Sequence, residues 1–395
     1  MKTINLDYTA ATPLERSVLD AMLPFFTEHY GNPSSGHSLG EKPRKAIEEA
    51  REYVGQLIGS EAKNIVFTAS ASEANNLAIK GLVRAGKKKG NHIITTSVEH
   101  FSVLNQLKSM EKEGYKVTRL PVDRYGAVDP AQMEMAITDQ TILISIQTAN
   151  PEVGTIQPVE KLAALAREKE VPFHTDATAA AGWIELDVEK MNVDLLTLAG
   201  DQFYGPKGSG AIYVRRGTRL LPLIEGGIQE KGLRAGTENV PAIVGMGEAA
   251  KVALKTRQER AKNAVAIRDQ LKESLFDSIP NLHLNGHSEN RLPRNLNISV
   301  SFVEGEALLM RLQMAGIYVS SGSSCTSQAL KSSHVLTAMG VTPELAQGSL
   351  QLTVGPDSKL EDIPYITEQL GEIAALLRNM SPLYHQYLKE GKINA

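Results

Sequence analysis

Polar side chains that could carry chemistry stand where apolar, strand-like segments of the sequence end. Asp201 and Gln202 follow the run LLTLAG and precede a glycine-rich turn, Asp176 ends the run VPFHTD, and His100 follows HIITTS. Proteins of the α/β class often place binding and catalytic groups at the carboxyl ends of sheet strands. These positions therefore predict a polar site, with an acid and an amide at its centre.

The segment 70–73, SASE, follows the run NIVFTA and precedes the helical pattern EANNLAIKGLV. Backbone N–H groups at the start of a helix, together with the Ser72 hydroxyl, can hold a phosphate. The alternative is an ordinary serine N-cap, with Glu73 near the positive end of the helix dipole. Similarly, His100 could be a core histidine and Asp176 a cap, so none of these residues identifies an activity alone.

Cys325 is the single cysteine of the chain. It cannot form an internal disulfide, and alone it cannot complete a zinc or iron–sulfur site. The surrounding sequence SSGSSCTS predicts a solvated loop, and a helix predicted to follow from 326 would place the sulfur near a helix N-terminus, which favours the thiolate. We expect an accessible thiol whose chemistry needs a partner.

Composition and charge limit the classes of function. The 395 residues include 42 Lys plus Arg and 45 Asp plus Glu, a balance that gives no field to gather nucleic acid or an anionic membrane. The N-terminal segment MKTINLDYTAATP lacks the apolar region of a signal peptide, and no apolar stretch reaches the roughly 18 residues of a membrane span. We expect a cytoplasmic protein that binds neither nucleic acid nor membrane.

The elements that must position these residues follow a βαβ pattern. Strand-like runs alternate with helical patterns, which predicts a mostly parallel seven-stranded sheet with helices on both faces, an α/β fold. The runs lie at 64–69, 92–97, 116–122, 141–147, 171–176, 193–199 and 211–216.

A smaller α+β domain is predicted after this sheet. One or two helices over 240–276 lead away from it. The pattern then predicts strands at 295–301, 317–321 and 349–355, and helices at 305–315, 326–339 and 358–378. We therefore predict a large domain, 16–255, and a small domain formed by 1–15 and 256–395, which carries the Cys325 loop.

The chain resembles the NifS/IscS-type cysteine desulfurases, class-V aminotransferases of fold type I, nearly from end to end. The motifs that carry the resemblance occur in the family's order: LDYTAATP, GNPSSGHSLG, FTASASEANNLAIKG, SVEHFSVL, HTDA, YGPKGSGAIYVRRG, GLRAGTENVPAIVG and SSGSSCTS. The family uses pyridoxal phosphate (PLP) to remove sulfur from cysteine, leaving alanine and a persulfide on a loop cysteine. The resemblance implies a homodimer and an IscU-like iron–sulfur scaffold protein as partner.

Part of the family's site is present, by resemblance. His100 matches the histidine that stacks on the PLP ring, and Asp176 matches the acid that pairs with the pyridine nitrogen. Ser72 matches a hydroxyl of the phosphate loop, and Thr237 matches a residue that reaches the partner subunit's phosphate. Cys325 matches the cysteine that bears the persulfide.

Gln202 stands where the family carries the lysine that binds PLP as a Schiff base. A carboxamide nitrogen is delocalised into its carbonyl and cannot form this bond. Lys207 matches a separate lysine of the family's GPKG turn and would have to reach back across that turn. The sequence therefore argues against normal PLP binding in a site that is otherwise of the PLP type.

Other departures from the family surround this position. Asp201 replaces a histidine beside the PLP phosphate, and like charges at about 4 Å with an effective dielectric of about 20 repel by roughly 4 kcal/mol. The remaining departures are Ala199 for a serine, Ala179 for a glutamine that contacts the PLP ring oxygen, Pro151 for an asparagine, and Gln351 for the arginine that clamps the substrate carboxylate.

Three functions stay open at this point. The favoured one is a non-catalytic protein of iron–sulfur assembly, with Cys325 as persulfide acceptor or as a ligand of a 2Fe–2S cluster shared with the scaffold, since thiolate suits iron. The second is a desulfurase that converts L-cysteine to L-alanine and an enzyme persulfide without the usual lysine. The third is a cavity reshaped for another small ligand, lined by Asp176, His100 and Asp201.

Overall fold

The computed structural model describes residues 3–321 and 332–393. Its strands are β1 Ile4–Asn5, β2 Ile65–Thr68, β3 His92–Thr96, β4 Lys116–Leu120, β5 Thr141–Ser145, β6 Phe173–Asp176, β7 Leu195–Ala199, β8 Gly210–Val214, β9 Leu282–Asn285, β10 Asn295–Val300, β11 Ile317–Tyr318 and β12 Ser349–Thr353. Its α-helices are α1 Arg16–Met22, α2 Pro24–Thr27, α3 Ser38–Leu57, α4 Ala71–Gly86, α5 Phe101–Lys112, α6 Pro130–Ala136, α7 Val159–Glu168, α8 Val240–Ser278, α9 Gly305–Met314, α10 His334–Ala338, α11 Pro343–Gln347, α12 Ile363–Asn379 and α13 Pro382–Ile393.

A seven-stranded sheet in the order β2-β8-β7-β6-β5-β3-β4 forms the centre of the fold. The pairs from β7 to β4 are parallel, and β8 runs antiparallel to both β2 and β7. Successive residues such as Ile93 and Ile94 in β3 belong to different core clusters, because side chains alternate between the faces of a strand. The predicted mostly parallel sheet, covered on both faces, is confirmed.

The carboxyl-terminal part of the chain contains two small sheets. β9, β10 and β12 form an antiparallel sheet, as the patterns at 295–301 and 349–355 predicted for two of its strands. The segment predicted as a strand at 317–321 is shorter, and β11 pairs in parallel with β1 near the N-terminus. The portion of the predicted helix 326–339 that the structure describes forms α10.

One continuous helix, α8, connects the two hydrophobic cores. It extends over 39 residues and therefore passes through the boundary predicted at residue 255. Met246 and Ala250 belong to the core cluster at the large sheet, and Leu271 and Leu275 belong to the cluster around the small antiparallel sheet. The division of the chain into 16–255 and the remainder stays a prediction.

A buried ion pair between Arg51 and Glu230 holds β2, the strand that leads into the predicted phosphate segment 70–73. Arg51 of α3 donates two hydrogen bonds to Glu230, at 2.7 and 2.8 Å, and the side chains are 7% and 3% exposed. Glu230 also accepts a hydrogen bond from the backbone N–H of Phe67 in β2, at 2.7 Å. Burial opposes the charge of Arg51, but the hydrogen bonds and charge of Glu230 outweigh it and raise the pKa of Arg51.

We predict that Glu230→Gln lowers the free energy of unfolding by about 3 kcal/mol, because it leaves the buried guanidinium of Arg51 with only the solvent-exposed carboxylate of Glu48 as counter-charge, 3.2 Å away. The matched control is Glu111→Gln, which breaks the pair of Glu111 with Arg119, whose side chains are 37% and 30% exposed. The control should cost less than about 1 kcal/mol. Urea unfolding of both variants measures the difference, and equal losses would contradict the prediction.

Candidate functional site

A cavity of about 330 Å³ lies at the carboxyl edge of the parallel strands. Asp176 at the end of β6, His100 before α5 and Gln202 after β7 all contribute to its wall, as the strand-end positions predicted. Gln351 of β12 reaches the same cavity from the small antiparallel sheet. Residues far apart in the sequence therefore meet here because the strands that carry them end at one edge.

Asp176 is held by hydrogen bonds from two directions. Its Oδ2 accepts from Asn75 Nδ2 of α4 at 2.7 Å, and its Oδ1 accepts from the backbone N–H of Thr178 at 3.0 Å. The Asp176 side chain is thus held by α4 and its own turn, in a residue that is 8% exposed. The carboxylate keeps its orientation without any ligand.

Asn75 and Ser102 link Asp176 to His100. Asn75 Nδ2 donates to Ser102 Oγ at 2.8 Å, and Ser102 Oγ lies 2.8 Å from His100 Nδ1. Neither linking residue was predicted from the sequence, although a fully buried asparagine in the helix pattern EANNLAIKGLV is an unusual choice unless it has a partner.

His100 is exposed, so the alternative of a core histidine is wrong. Its Nδ1 accepts a hydrogen bond from the backbone N–H of Ser102 at 3.1 Å and thereby caps α5. The local structure fixes the ring at the wall of the cavity.

The segment 70–73 begins α4 with a capping box. Ser70 Oγ accepts from the N–H of Glu73 at 3.1 Å, and Glu73 Oε2 accepts from the N–H of Ala69 at 3.0 Å. The expected serine N-cap is therefore present. Ala71 lines the cavity, and Ser72 lies beside it in the first helical turn. A role of Ser72 in binding phosphate stays a prediction.

Gln202 lies in the short 3-10 turn Gly200–Phe203 that follows β7, and it is 8% exposed. Its Oε1 accepts a hydrogen bond from Arg294 Nη2 at 2.7 Å. Its Nε2 donates to the backbone oxygen of Thr9 at 3.2 Å and to Asp201 Oδ2 at 3.2 Å. The side-chain amide therefore uses its acceptor and both of its donor hydrogens within the protein.

Lys207 does not supply the amine that Gln202 lacks. It is exposed, its Nζ donates to the backbone oxygen of Thr12 at 3.2 Å, and it does not line the cavity. This agrees with the expectation that it could not reach back across the turn.

Two of the positions that depart from the family contact each other. Gln351 Nε2 donates a hydrogen bond to the backbone oxygen of Pro151 at 2.6 Å, which holds the end of β12 against the loop after β5. A neutral amide used in this way offers neither a charge nor a two-pronged donor to a carboxylate. Ala179 also lies in the wall of the cavity.

Two further acids, Glu99 and Glu152, lie buried in the wall, where loss of contact with water opposes their ionisation. Burial raises the pKa of Glu99 to about 8 and the pKa of Glu152 to about 7. Within the described residues, neither Glu99 Oε2 nor Glu152 Oε1 has a hydrogen-bond partner. The described wall contains no lysine or arginine, so an anionic ligand would meet the Asp176 carboxylate there without a balancing cation in the wall.

Besides Ser72, two of the predicted residues that the structure describes, Asp201 and Thr237, do not line this cavity. Asp201 points its carboxylate to Gln202, while its backbone oxygen accepts hydrogen bonds from Thr12 Oγ1 and from the N–H of Tyr204. Thr237 lines a separate cavity of about 250 Å³. Its assignment to the partner subunit's site stays a prediction. Cys325 lies outside the described residues.

Two other features are absent from the described ranges 3–321 and 332–393. No group of three or more His, Cys, Asp or Glu side chains there is arranged to hold a metal ion. No helix within those ranges has the length and apolar character needed to cross a membrane.

Comparisons with known proteins agree with this fold. The sequence profile of the family "Aminotransferase class-V" matches residues 4–363. Cysteine desulfurase IscS of Methanosarcina thermophila is 47% identical over 97% of this chain and 94% of its own length. Cysteine desulfurase IscS of Dictyoglomus turgidum is 46% identical over 100% of this chain and 99% of its own length.

Solved structures give the same result. A structure described as a NifS-like protein covers 95% of this chain and 100% of its own, with 36% identity and a TM-score of 0.89. The structure of SspA in complex with cysteine covers 90% of this chain and 99% of its own, with 37% identity and a TM-score of 0.78. The chain therefore belongs to the class-V aminotransferases, in the family of the NifS/IscS-type cysteine desulfurases.

Proposed function

We propose that this chain is a cysteine desulfurase-like protein of iron–sulfur cluster assembly that does not carry out normal PLP catalysis. In this proposal a homodimer docks an IscU-like scaffold and offers Cys325 as a persulfide acceptor or as a ligand of a shared 2Fe–2S cluster. The observation that carries the proposal is Gln202, an amide whose polar atoms are all engaged within the protein where the family has its Schiff-base lysine.

PLP does not fit these residues in the way that the family holds it. Asp176 and His100 occupy places suited to the cofactor ring, but no amine stands at position 202. Lys207, the nearest lysine in sequence, is bound to a backbone oxygen outside the cavity. A covalent link between protein and cofactor therefore has no nucleophile at this position.

Electrostatics supports the same proposal. PLP brings a phosphate and cysteine brings a carboxylate, and the described wall provides no lysine or arginine for either. Asp176 and any ionised fraction of Glu152 repel both groups. Gln351, at the position of the family's substrate-binding arginine, spends its donor on the Pro151 carbonyl.

The chemistry left to the proposed protein is that of one thiol. As a persulfide acceptor, the Cys325 thiolate attacks the outer sulfur of a donor persulfide. A new S–S bond forms as the donor's S–S bond breaks, and the donor departs as a thiolate, so no external oxidant is required. As a cluster ligand, the same thiolate binds iron directly. Both uses need a second protein, because the chain has no other cysteine.

A second candidate is a PLP-dependent desulfurase that works without the usual lysine. The observation in its favour is the intact chain of hydrogen bonds from Asp176 through Asn75 and Ser102 to His100. The visible spectrum separates the two candidates. Yellow purified protein whose absorption band disappears with borohydride favours the second, whereas colourless protein that turns brown only with iron, sulfide and a scaffold favours the first.

We predict that release of alanine and sulfide from L-cysteine stays at background, even with added PLP, because the nucleophile for the cofactor and the cation for the substrate are both missing. The positive control is the IscS relative from Methanosarcina thermophila, assayed in parallel. Sustained turnover by this chain, above that of a heat-denatured sample, would contradict the prediction.

We predict that Cys325→Ser leaves the fold and dimer intact but abolishes sulfur loading, or cluster retention, in the complex with an IscU-like scaffold. The matched control is Asp176→Asn, which removes a carboxylate from the cavity and should leave both properties unchanged. Mass spectrometry of the sulfur-loaded protein and the visible spectrum of the complex are the measurements. If the Cys325→Ser complex takes up sulfur equally and holds the same cluster with the same lifetime, the thiol has no such role.

A further inference from the structure

Arg294 lies directly behind the amide of Gln202. It precedes β10, is 1% exposed, and donates from Nη2 to Gln202 Oε1 at 2.7 Å. Its Nη1 reaches the backbone oxygen of Tyr8 at 3.4 Å, and its guanidinium carbon lies 4.8 Å from the centre of the Trp183 ring. Burial lowers the pKa of Arg294 to about 10, which still leaves the group charged at neutral pH.

Gln202 connects this buried cation to an anion. Its oxygen faces the guanidinium of Arg294, while its nitrogen faces Asp201 Oδ2 at 3.2 Å. A neutral amide can accept from the one and donate to the other at the same time. A carboxylate at position 202 would suit Arg294 and repel Asp201, and an ammonium would do the reverse.

The charges of Arg294 and Asp201 do not act equally strongly on the side chain at position 202. Arg294 is fully buried, so its charge is little screened, whereas Asp201 is partly exposed and its interactions are weakened by water. The cation therefore decides which side chain is tolerated at position 202. Two like charges at contact distance in such a place shift a folding equilibrium by up to roughly a thousandfold.

We propose that Arg294 excludes an ammonium group from position 202, so that Gln202 and Arg294 form a matched pair and a lysine cannot replace Gln202 while Arg294 is present. Arg294 is in this sense a positioning residue, because it holds the Gln202 side chain at the wall of the cavity. Gln202, at the position of the family's lysine, is then matched to Arg294. A lysine at position 202 is tolerated only after the guanidinium of Arg294 has been removed. The inference depends on the contacts of Gln202 and not on Cys325, so its failure would leave the proposed function standing.

A double-mutant cycle tests the pair by stability, with no cofactor and no activity assay. Gln202→Lys should shift the unfolding equilibrium against the native state by roughly a hundredfold or more, from the repulsion of two cations. Adding Arg294→Met should recover much of that loss, so that the double variant is more stable than Gln202→Lys alone. A rescue by truncating a fully buried side chain is not expected from packing, which such a change normally weakens.

Gln351→Lys is the matched control, since it places a lysine in the same cavity at a residue that contacts the Pro151 carbonyl and not Arg294. Arg294→Met should not rescue it. Gln202→Glu keeps the test decisive if Gln202→Lys fails to fold, because the carboxylate should be tolerated better than the ammonium. The proposal is overturned if Gln202→Lys is as stable as the unchanged protein, if Arg294→Met rescues Gln351→Lys as well as Gln202→Lys, or if Gln202→Glu is no better than Gln202→Lys.

Discussion

A charge removed from water needs a charged or hydrogen-bonding partner. Two buried guanidinium groups near the edge of the large sheet meet this requirement in different ways. Arg51 receives a carboxylate, Glu230, which in turn binds the backbone at the end of β2. Arg294 receives the oxygen of an amide, Gln202, whose nitrogen continues to Asp201. The Arg51–Glu230 pair holds β2, which leads into α4. The Arg294–Gln202 contact holds the Gln202 side chain at the wall of the cavity.

The residues of the cavity divide according to their partners. Asp176 is held by Asn75 and by its own turn, so its position is part of the architecture whether or not a ligand is present. Gln202 and Gln351 instead use their amides to bind neighbouring parts of this chain. In the function proposed here, the site keeps its outline while these two amides serve internal contacts.

Much of the fold could be predicted from the sequence, because the strands of the large sheet are buried on both faces and appear as continuous apolar runs. Several elements were not predicted, and three of them illustrate why. β1 has only two residues, β9 has only one fully buried residue in four, and α13 was overlooked although Ser381 followed by Pro382 is a helix-start signal.

The residues of the site were also predicted only in part. Asp176 and His100 were found because a strand end or a helix start is visible locally. Arg294 and Asn75 were missed because their partners lie 92 and 101 residues away in the sequence, and an arginine next to an apolar strand normally indicates a solvated side chain. Only the fold brings Gln202 and Arg294 together. The role of Cys325 was inferred from a motif and stays a prediction.

The long helix α8 has a consequence for how the molecule responds to binding. At about 1.5 Å per residue it extends for roughly 58 Å, with one end in the core of the large sheet and the other in the core of the small one. Because each core buries one part of the same continuous helix, unfolding of either core removes support from the helix on which the other core packs, and we expect the two cores to unfold as one cooperative unit. A protein that binds only the native surface of the small core therefore protects the large sheet as well, by mass action over the whole unit.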